Sequence, residues 1–375
     1  MEPSSQANRH PAALDCVRLI GHSKASHHEG ASFQAVGQRL AAHLGLRYAG
    51  LSERAAGPGD YQVPRAALAG RDSRPPSGRH FLGGWTESPL HATKAVMHPI
   101  GDGAQAVPDD WPAALGPELA DLVLPGATVF SVPDALRAGK ALWHRAPRTS
   151  LRLKQVQADG GRGQCVVDDL AQLRAALERW EEVVGQGLVI EENLADVRTL
   201  SVGQVEIPGQ TIAYIGEQAV TGNNRGEPAY GGSRLLAIRG GFAELANLGF
   251  AGDFGLAIAR AAAFDRLADR HLGLIASRRN YDVALGRGAA SAPRVAVLEQ
   301  SWRIGGATPA EILALEALAA SPDAGKVRAA TVELYGPGLE PPPGAFVLFH
   351  GEDPEQGPML KYAILGRECI ADPIR

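Results

Sequence analysis

The sequence predicts a mixed α/β protein built from more than one compact unit. Three patterns carry that expectation. A strand, a polar loop and a helix follow one another at the start. Leu151 to Val156 alternates at period two and a helical repeat begins after Asp168. Late in the chain, two strand patterns at 280–285 and 294–299 follow a long helix pattern at about 253–272. A length of 375 residues suits two or three domains or subdomains.

In order, Asp15 to Gly21 reads as a buried strand and His22 to Ala31 as a polar loop. Ser32 is placed to cap a helix with Phe33, Val36, Leu40 and Leu44 on one face and Gly45 as its stop. Residues 52–79, rich in Gly, Pro, Arg and Ser, read as irregular. Ala95–Ile100 and Ala127–Val132 read as short strands, the second leading into a helix at about 133–144. After the strand at 151–156 come a glycine loop, a strand at Cys165–Val167, and a helix capped by Asp168. Leu188–Glu191 is the next strand. Residues 197–206 and 211–219 form a hairpin turning at Pro208-Gly209. The polar, glycine-rich run 221–233 is expected as a surface lobe or a lid. Thr308 caps the last helix, with Pro309 at its first position and Glu311 completing a capping box. Short strands are expected at 330–335, 345–350 and 360–365.

Composition narrows the function. Hydrophobic residues make up 45% and charged residues 21%, ordinary for a globular protein, and a net charge of −4 argues against nucleic acid as a partner. Cys16, Cys165 and Cys369 are too widely spaced for a disulfide framework or a metal knuckle. The first residues lack the basic and apolar regions of a signal peptide, and no apolar run reaches membrane-spanning length. No membrane partner and a cytoplasmic location are therefore expected. The runs G-x-x-x-x-G-K-[ST], H-E-x-x-H and G-x-S-x-G do not occur, which disfavours a Walker-type NTPase, a zinc hydrolase and an α/β-hydrolase.

Four runs carry candidate chemistry. Lys154 on a strand, followed by Gly160, Gly161, Arg162 and Gly163, suits a polyphosphate. An ammonium neutralises charge, and glycines let backbone N–H groups come close. Asp282 and Glu299 sit on strands joined by a short connection. Paired antiparallel, they can share a hard cation such as magnesium. Glu299, Ser301 and Arg303 alternate and so share a face in extended chain, ahead of Gly305, Gly306 and a helix N-terminus suited to an anion. Leu188 to Leu194 is an apolar strand running into Glu191 and Glu192, whose backbone could meet an adenine edge.

In order and spacing these runs resemble the ATP-grasp superfamily over residues 125–320, and the whole chain is similar to a bacterial ATP-grasp-like group of unassigned function. For that group the Gly83-Gly84 pair and the stretch from His91 to Pro99 look characteristic. The resemblance implies an ATP-grasp fold behind an N-terminal Rossmann-like α/β domain, with ATP and Mg2+ bound between two lobes. Its expected divisions are 1–125, a small lobe 126–195, a large lobe 196–325 and a strand-rich extension 326–375. It implies phosphate contacts from Lys140, Lys154 and Gly160–Gly163. It also implies a nucleotide pocket at Glu191, Glu192 and Leu194, metal ligands Asp282 and Glu299, and Arg303 steadying the transferred group. Ser301 stands where the family usually has Asn and offers a shorter oxygen to metal. Arg225, Ser233, Gly305, Gly306, Lys94 and His98 are candidates for substrate. The activity implied is ADP-forming ligation of a small carboxylate to an amine, in a chain with room for a homodimer interface. The alternatives are a nucleotide-binding protein without turnover and a kinase releasing a phosphorylated product.

Overall fold

A computed structural model describes residues 13–21, 25–53, 57, 59–75, 77–158 and 163–366. Cys16–Ile20 is the middle of three parallel strands, between Arg47–Ser52 and Asp60–Pro64. The helix His27–Leu44 packs on this sheet through Val36, Leu40 and Ala41. It starts earlier than the expected cap at Ser32. Ser26 is the N-cap, Glu29 accepts from the Ser26 N–H at 3.3 Å, and Ser32 lies inside the helix with its hydroxyl on the His28 carbonyl. Gly45 ends the helix in the left-handed conformation, as expected.

Two other expectations need correction. The stretch 52–79 contains the strand Asp60–Pro64, whose Tyr61 and Val63 are fully buried. The strand expected at 95–100 is a buried 3-10 turn, Lys94–Met97, followed by a single bridge from Ile100 to Thr128.

A four-stranded antiparallel sheet follows, ordered Gly126–Val129, Leu188–Glu192, Leu151–Gln155, Gln164–Val167. The helices Val132–Arg145 and Leu170–Arg179 cover one side of it. Asp169, one residue later than expected, caps the second helix by accepting from the Gln172 N–H at 2.8 Å.

The largest sheet has eight strands. Their order is Pro293–Ser301, Arg278–Arg287, Ala195–Ile207, Gln210–Gly222, Pro228–Arg239, Lys326–Tyr335, Gly357–Leu365 and Phe346–Asp353. All neighbours in it run antiparallel. The last three strands thus continue the same sheet as residues 195–301. Helix Gly252–Leu272 packs on one face and helix Thr308–Ala320 on the other. Residues 221–233 are mostly paired strand, with only a short turn at 223–227 left as loop.

Helix Thr308–Ala320 is fixed to the sheet by charge. Glu311 accepts from Arg278 Nε and Nη2, both at 2.7 Å, and from the Tyr214 hydroxyl at 2.6 Å, rather than closing a capping box. Arg278 and Glu311 are each only 1% exposed. Arg278 also donates to the Ser301 carbonyl at 3.1 Å and to the Arg303 carbonyl. Glu311→Ala strands that guanidinium, and a loss of about 3–5 kcal/mol is expected in urea unfolding. The double variant Arg278→Met/Glu311→Leu should recover most of it.

Candidate active site

The site begins with a register shift. Strand Arg278–Arg287 pairs with Pro293–Ser301 through Leu285–Val295, Ala284–Ala296 and Val283–Val297. The next pair is Asp282–Glu299, leaving Leu298 as an extra residue. Strict alternation would send Glu299 to the side of Val295 and Val297, which lie in the core beneath helix Gly252–Leu272. The bulge turns Glu299 to the other face, against Asp282. Ser301 then falls opposite Asn280. A Cβ on Gly305 would lie 3.9 Å from Ser301 Oγ and 3.8 Å from Arg303 Nη1, so those two side chains converge there.

Burial and the facing Glu299 push Asp282 up to about 6. Its Oδ1 accepts from Gln218 Nε2 at 2.7 Å and Asn280 Nδ2 at 3.0 Å, which partly counters the shift. An acid raised by the carboxylate facing it, with only amide donors on its Oδ1, fits beside that second acid as a pair for a hard cation. Among the described residues no third His, Cys, Asp or Glu joins a metal-binding group with them, so a cation there completes its shell from water or ligand oxygens.

The same sheet face is graded. Leu124, Leu194, Ala284, Ala296 and Leu298 form a small apolar cluster at one end. The acid pair comes next, with Ser201 beside Asp282 on the neighbouring strand, then Asn280 and Ser301. Ser233, buried, bonds the Tyr230 hydroxyl at 2.6 Å. Gly306 packs so closely on the Tyr230 ring that a Cβ there would meet it at 2.5 Å. The anion site expected at Gly305, Gly306 and the helix N-terminus is narrower than the sequence suggests. Gly305 N–H donates to Thr308 Oγ1 at 3.0 Å and Ala310 N–H to Thr331 Oγ1 at 3.2 Å. Among the described residues the N–H groups of Gly306 and Ala307 have no such acceptor.

Lys154 is buried on the four-stranded sheet with its Nζ 2.5 Å from Glu191 Oε1; His98 Nε2 lies 2.8 Å from Glu191 Oε2. Burial alone would raise Glu191, but Lys154 and His98 outweigh it and hold the carboxyl down at about 2. Glu192 is engaged too, with Arg294 Nε at 2.9 Å and the Ala289 N–H at 2.6 Å. The side chains of both acids thus have partners within the protein.

A segment from the first hundred residues joins the two sheets. The turn Lys94–Met97 touches strands Gly126–Val129, Leu188–Glu192 and Pro293–Ser301. Lys94 Nζ lies 2.9 Å from Glu299 Oε2 and donates to the Ala158 carbonyl at 2.7 Å; Gln300 Nε2 donates to the Thr93 carbonyl at 2.7 Å. Gly84 N–H donates to the Trp302 carbonyl at 2.7 Å, an approach that a side chain would block, since its Cβ would sit 2.5 Å from that of Trp302.

The family model described as "Protein of unknown function (DUF3182)" matches residues 17–363. The chain belongs to that DUF3182 family. No curated protein matches it. Solved structures do. A biotin carboxylase–β,γ-ATP complex from Campylobacter jejuni aligns at TM-score 0.53 and 12% identity, over 93% of this chain and 87% of that one. The biotin carboxylase domain of the Hydrogenobacter thermophilus 2-oxoglutarate carboxylase, complexed with MgADP, ADP and bicarbonate, gives 0.54 and 12%, over 95% and 87%. N5-carboxyaminoimidazole synthetase from Staphylococcus aureus gives 0.51 and 11%, over 95% of each chain. This DUF3182 chain has the ATP-grasp fold.

The structure therefore brings Asp282, Glu299, Ser301, Arg303 and Gly305 together. It links Lys154 and Glu191 to Glu299 through the stretch carrying Lys94 and His98. Gly160, Gly161 and Arg162 lie outside the described residues. Lys140 is exposed on helix Val132–Arg145, off its buried stripe of Asp134, Ala135, Ala138, Gly139 and Leu142. Arg225 sits on the exposed turn 223–227, its Nη2 3.5 Å from the Glu355 carbonyl. Sequence reasoning missed Gln218, Asn280 and Tyr230. Asn280 opens a strand that was already recognised, and its place two residues before Asp282 was the available signal.

Glu191 and Asp282 make opposite contributions to stability. Glu191, lowered from 4.5 to about 2, stabilises the fold fully above pH 4.5 and loses that contribution as pH falls toward 2. Asp282, raised from 3.8 to about 6, costs stability as pH rises through that interval. In EDTA, urea midpoints of Glu191→Gln should depend less on pH below 4.5 than those of the parent. Asp282→Asn should be more stable above pH 7 by about 1–2 kcal/mol, less than the full shift because Asp282 keeps some solvent contact.

Proposed function

We propose that this chain is an ATP-dependent, ADP-forming ligase that activates a small carboxylate as an acyl phosphate for attack by an amine. The graded sheet face carries the reading. Apolar Leu194, Ala284, Ala296 and Leu298 suit a nucleobase, Asp282 and Glu299 suit the metal of a triphosphate, and Arg303 with the Gly306 and Ala307 N–H groups suits the end where transfer occurs. That order is the order of parts along ATP. The ATP-grasp fold supports the same reading, and so do nucleotides named with two of its structural neighbours.

In this reading residues 126–195 and 196–325 are the two lobes around the nucleotide, behind an N-terminal domain 1–125, with 326–375 as an extension. Asp282 and Glu299 would hold magnesium, which would supply charge neutralisation at the phosphates. Lys154 directs one ammonium hydrogen to Glu191, and an ammonium carries two more that could serve phosphate oxygens. Arg303 offers its guanidinium to charge on the transferred group. The carboxylate attacks the γ-phosphorus in line, ADP leaves, and the amine displaces phosphate from the acyl carbon. No side chain need act as a covalent nucleophile, because positioning and charge neutralisation suffice.

The test is ADP release with ATP, magnesium and pooled carboxylic acids and amines. Release should require one acid, and product mass with and without amine separates a ligase from a kinase. Glu299→Gln should lower the rate by about 100-fold or more with an unchanged far-UV circular dichroism spectrum; a variant with parental activity overturns the metal role of Glu299.

A further inference from the structure

The closest cation to the acid pair is one the chain carries itself. Lys94 is 7% exposed and its ammonium has two fixed acceptors, Glu299 Oε2 at 2.9 Å and the Ala158 carbonyl at 2.7 Å. The backbone on either side is anchored. Gln300 holds the Thr93 carbonyl, Thr93 Oγ1 accepts from the Ala95 N–H at 3.2 Å, and His98 is locked on Glu191. Lys94 is therefore not a long surface side chain that swings onto a nearby carboxylate. It is delivered to Glu299 by a buried turn.

The oxygens of the pair divide accordingly. On Asp282, Oδ1 takes the Gln218 and Asn280 amides; on Glu299, Oε2 takes Lys94. Among the described residues Oδ2 of Asp282 and Oε1 of Glu299 have no such partner. One oxygen from each acid provides for one divalent ion bridging the strands. The outer side of Glu299, where a further cation would bind, is filled by an ammonium.

We infer that Lys94 is a resident cation of this site, a positioning residue that fixes Glu299, restricts the acid pair to a single divalent ion and weakens that ion's binding by its own charge. This inference rests on the proposed metal role of Asp282 and Glu299 and assigns to Lys94 a task that role does not require. The Ala158 contact adds a consequence. The same ammonium ties the Ala158 carbonyl to the metal-binding acid.

The probe is manganese(II) in the presence of a non-hydrolysable ATP analogue, with free manganese read by electron paramagnetic resonance. The parent should bind one ion per chain. Lys94→Met should bind manganese at least about tenfold more tightly, or take up a second ion, because a positive charge near the site is gone. Lys94→Arg should stay close to the parent. A merely structural lysine would weaken binding when removed. Two ions in the parent, or unchanged or weaker binding in a Lys94→Met protein that melts cooperatively, overturns the inference and leaves the metal role of the acids standing. The parental count decides the matter even if that variant does not fold. No manganese bound by any of the proteins overturns both readings.

Discussion

Two carboxylates held face to face by a one-residue bulge set the terms for the surrounding structure. Without Leu298 as the extra residue, Glu299 would point into an apolar core, and Asp282 would face a leucine. With it, like charges meet on a surface from which protein has displaced much of the water. Such a pair is costly, and the fold offsets the cost locally. Gln218 and Asn280 donate to one acid and Lys94 to the other. Backbone rigidity comes from the opposite direction. Arg278 grips the carbonyls of Ser301 and Arg303 while its guanidinium is clamped by Glu311, so the strand end that carries Glu299 is tied to helix Thr308–Ala320.

The stretch from Gly84 to His98 gives the two sheets a shared reference. It docks its backbone on Trp302, its Thr93 carbonyl on Gln300, its Lys94 on Glu299 and its His98 on Glu191. Each contact is short and most are buried, and they reach both the strand carrying Glu191 and the strand carrying Glu299. A relative movement of the sheets must strain or break some of them. This explains why a run with little regular secondary structure is so thoroughly buried: Ala95, Val96 and Met97 are at most 1% exposed. Its order comes from specific side-chain partners rather than from a ladder of backbone bonds.

What the sequence discloses follows from the range of each signal. Asp282 and Glu299 are legible because Asp282 lies within the apolar run Tyr281–Leu285 and Glu299 ends the run Val295–Leu298, patterns local to a few residues. Antiparallel pairing of those runs implies their facing geometry, yet the bulge that achieves it leaves no compositional trace, since Leu298 looks like one more strand residue. Glu191 and Lys154 were singled out as separate contacts to a nucleotide. That they bind each other depends on Leu188–Glu192 lying beside Leu151–Gln155, a non-local fact. Glu311 has the spacing of a capping box, and the local rule lost to a buried arginine 33 residues away. The helix at His27 began early for a similar reason of range. Ser26 and Glu29 form a local cap, but two histidines and a glycine masked the apolar repeat that would have drawn attention to it.

The distribution of counter-ions separates the candidate site from the rest of the interior. Asp60 has Arg18, Glu191 has Lys154, Glu192 has Arg294, Glu311 has Arg278 and Glu333 has Lys361, each within 2.9 Å. Asp353 lacks a cation at that distance but receives N–H groups from His28, Glu355 and Gln356, and its carboxyl is held low. These arrangements are what folding alone demands of buried acids. Asp282 departs from the pattern. Among the described residues only neutral amides donate to it, a second carboxylate faces it, and its pKa is raised. Stability by itself would favour asparagine there, forming the same kind of hydrogen bonds without the charge. An acid kept in that position is suited to a positive partner from outside the chain, and Glu299, one of whose oxygens is already committed to Lys94, leaves that partner a place between them.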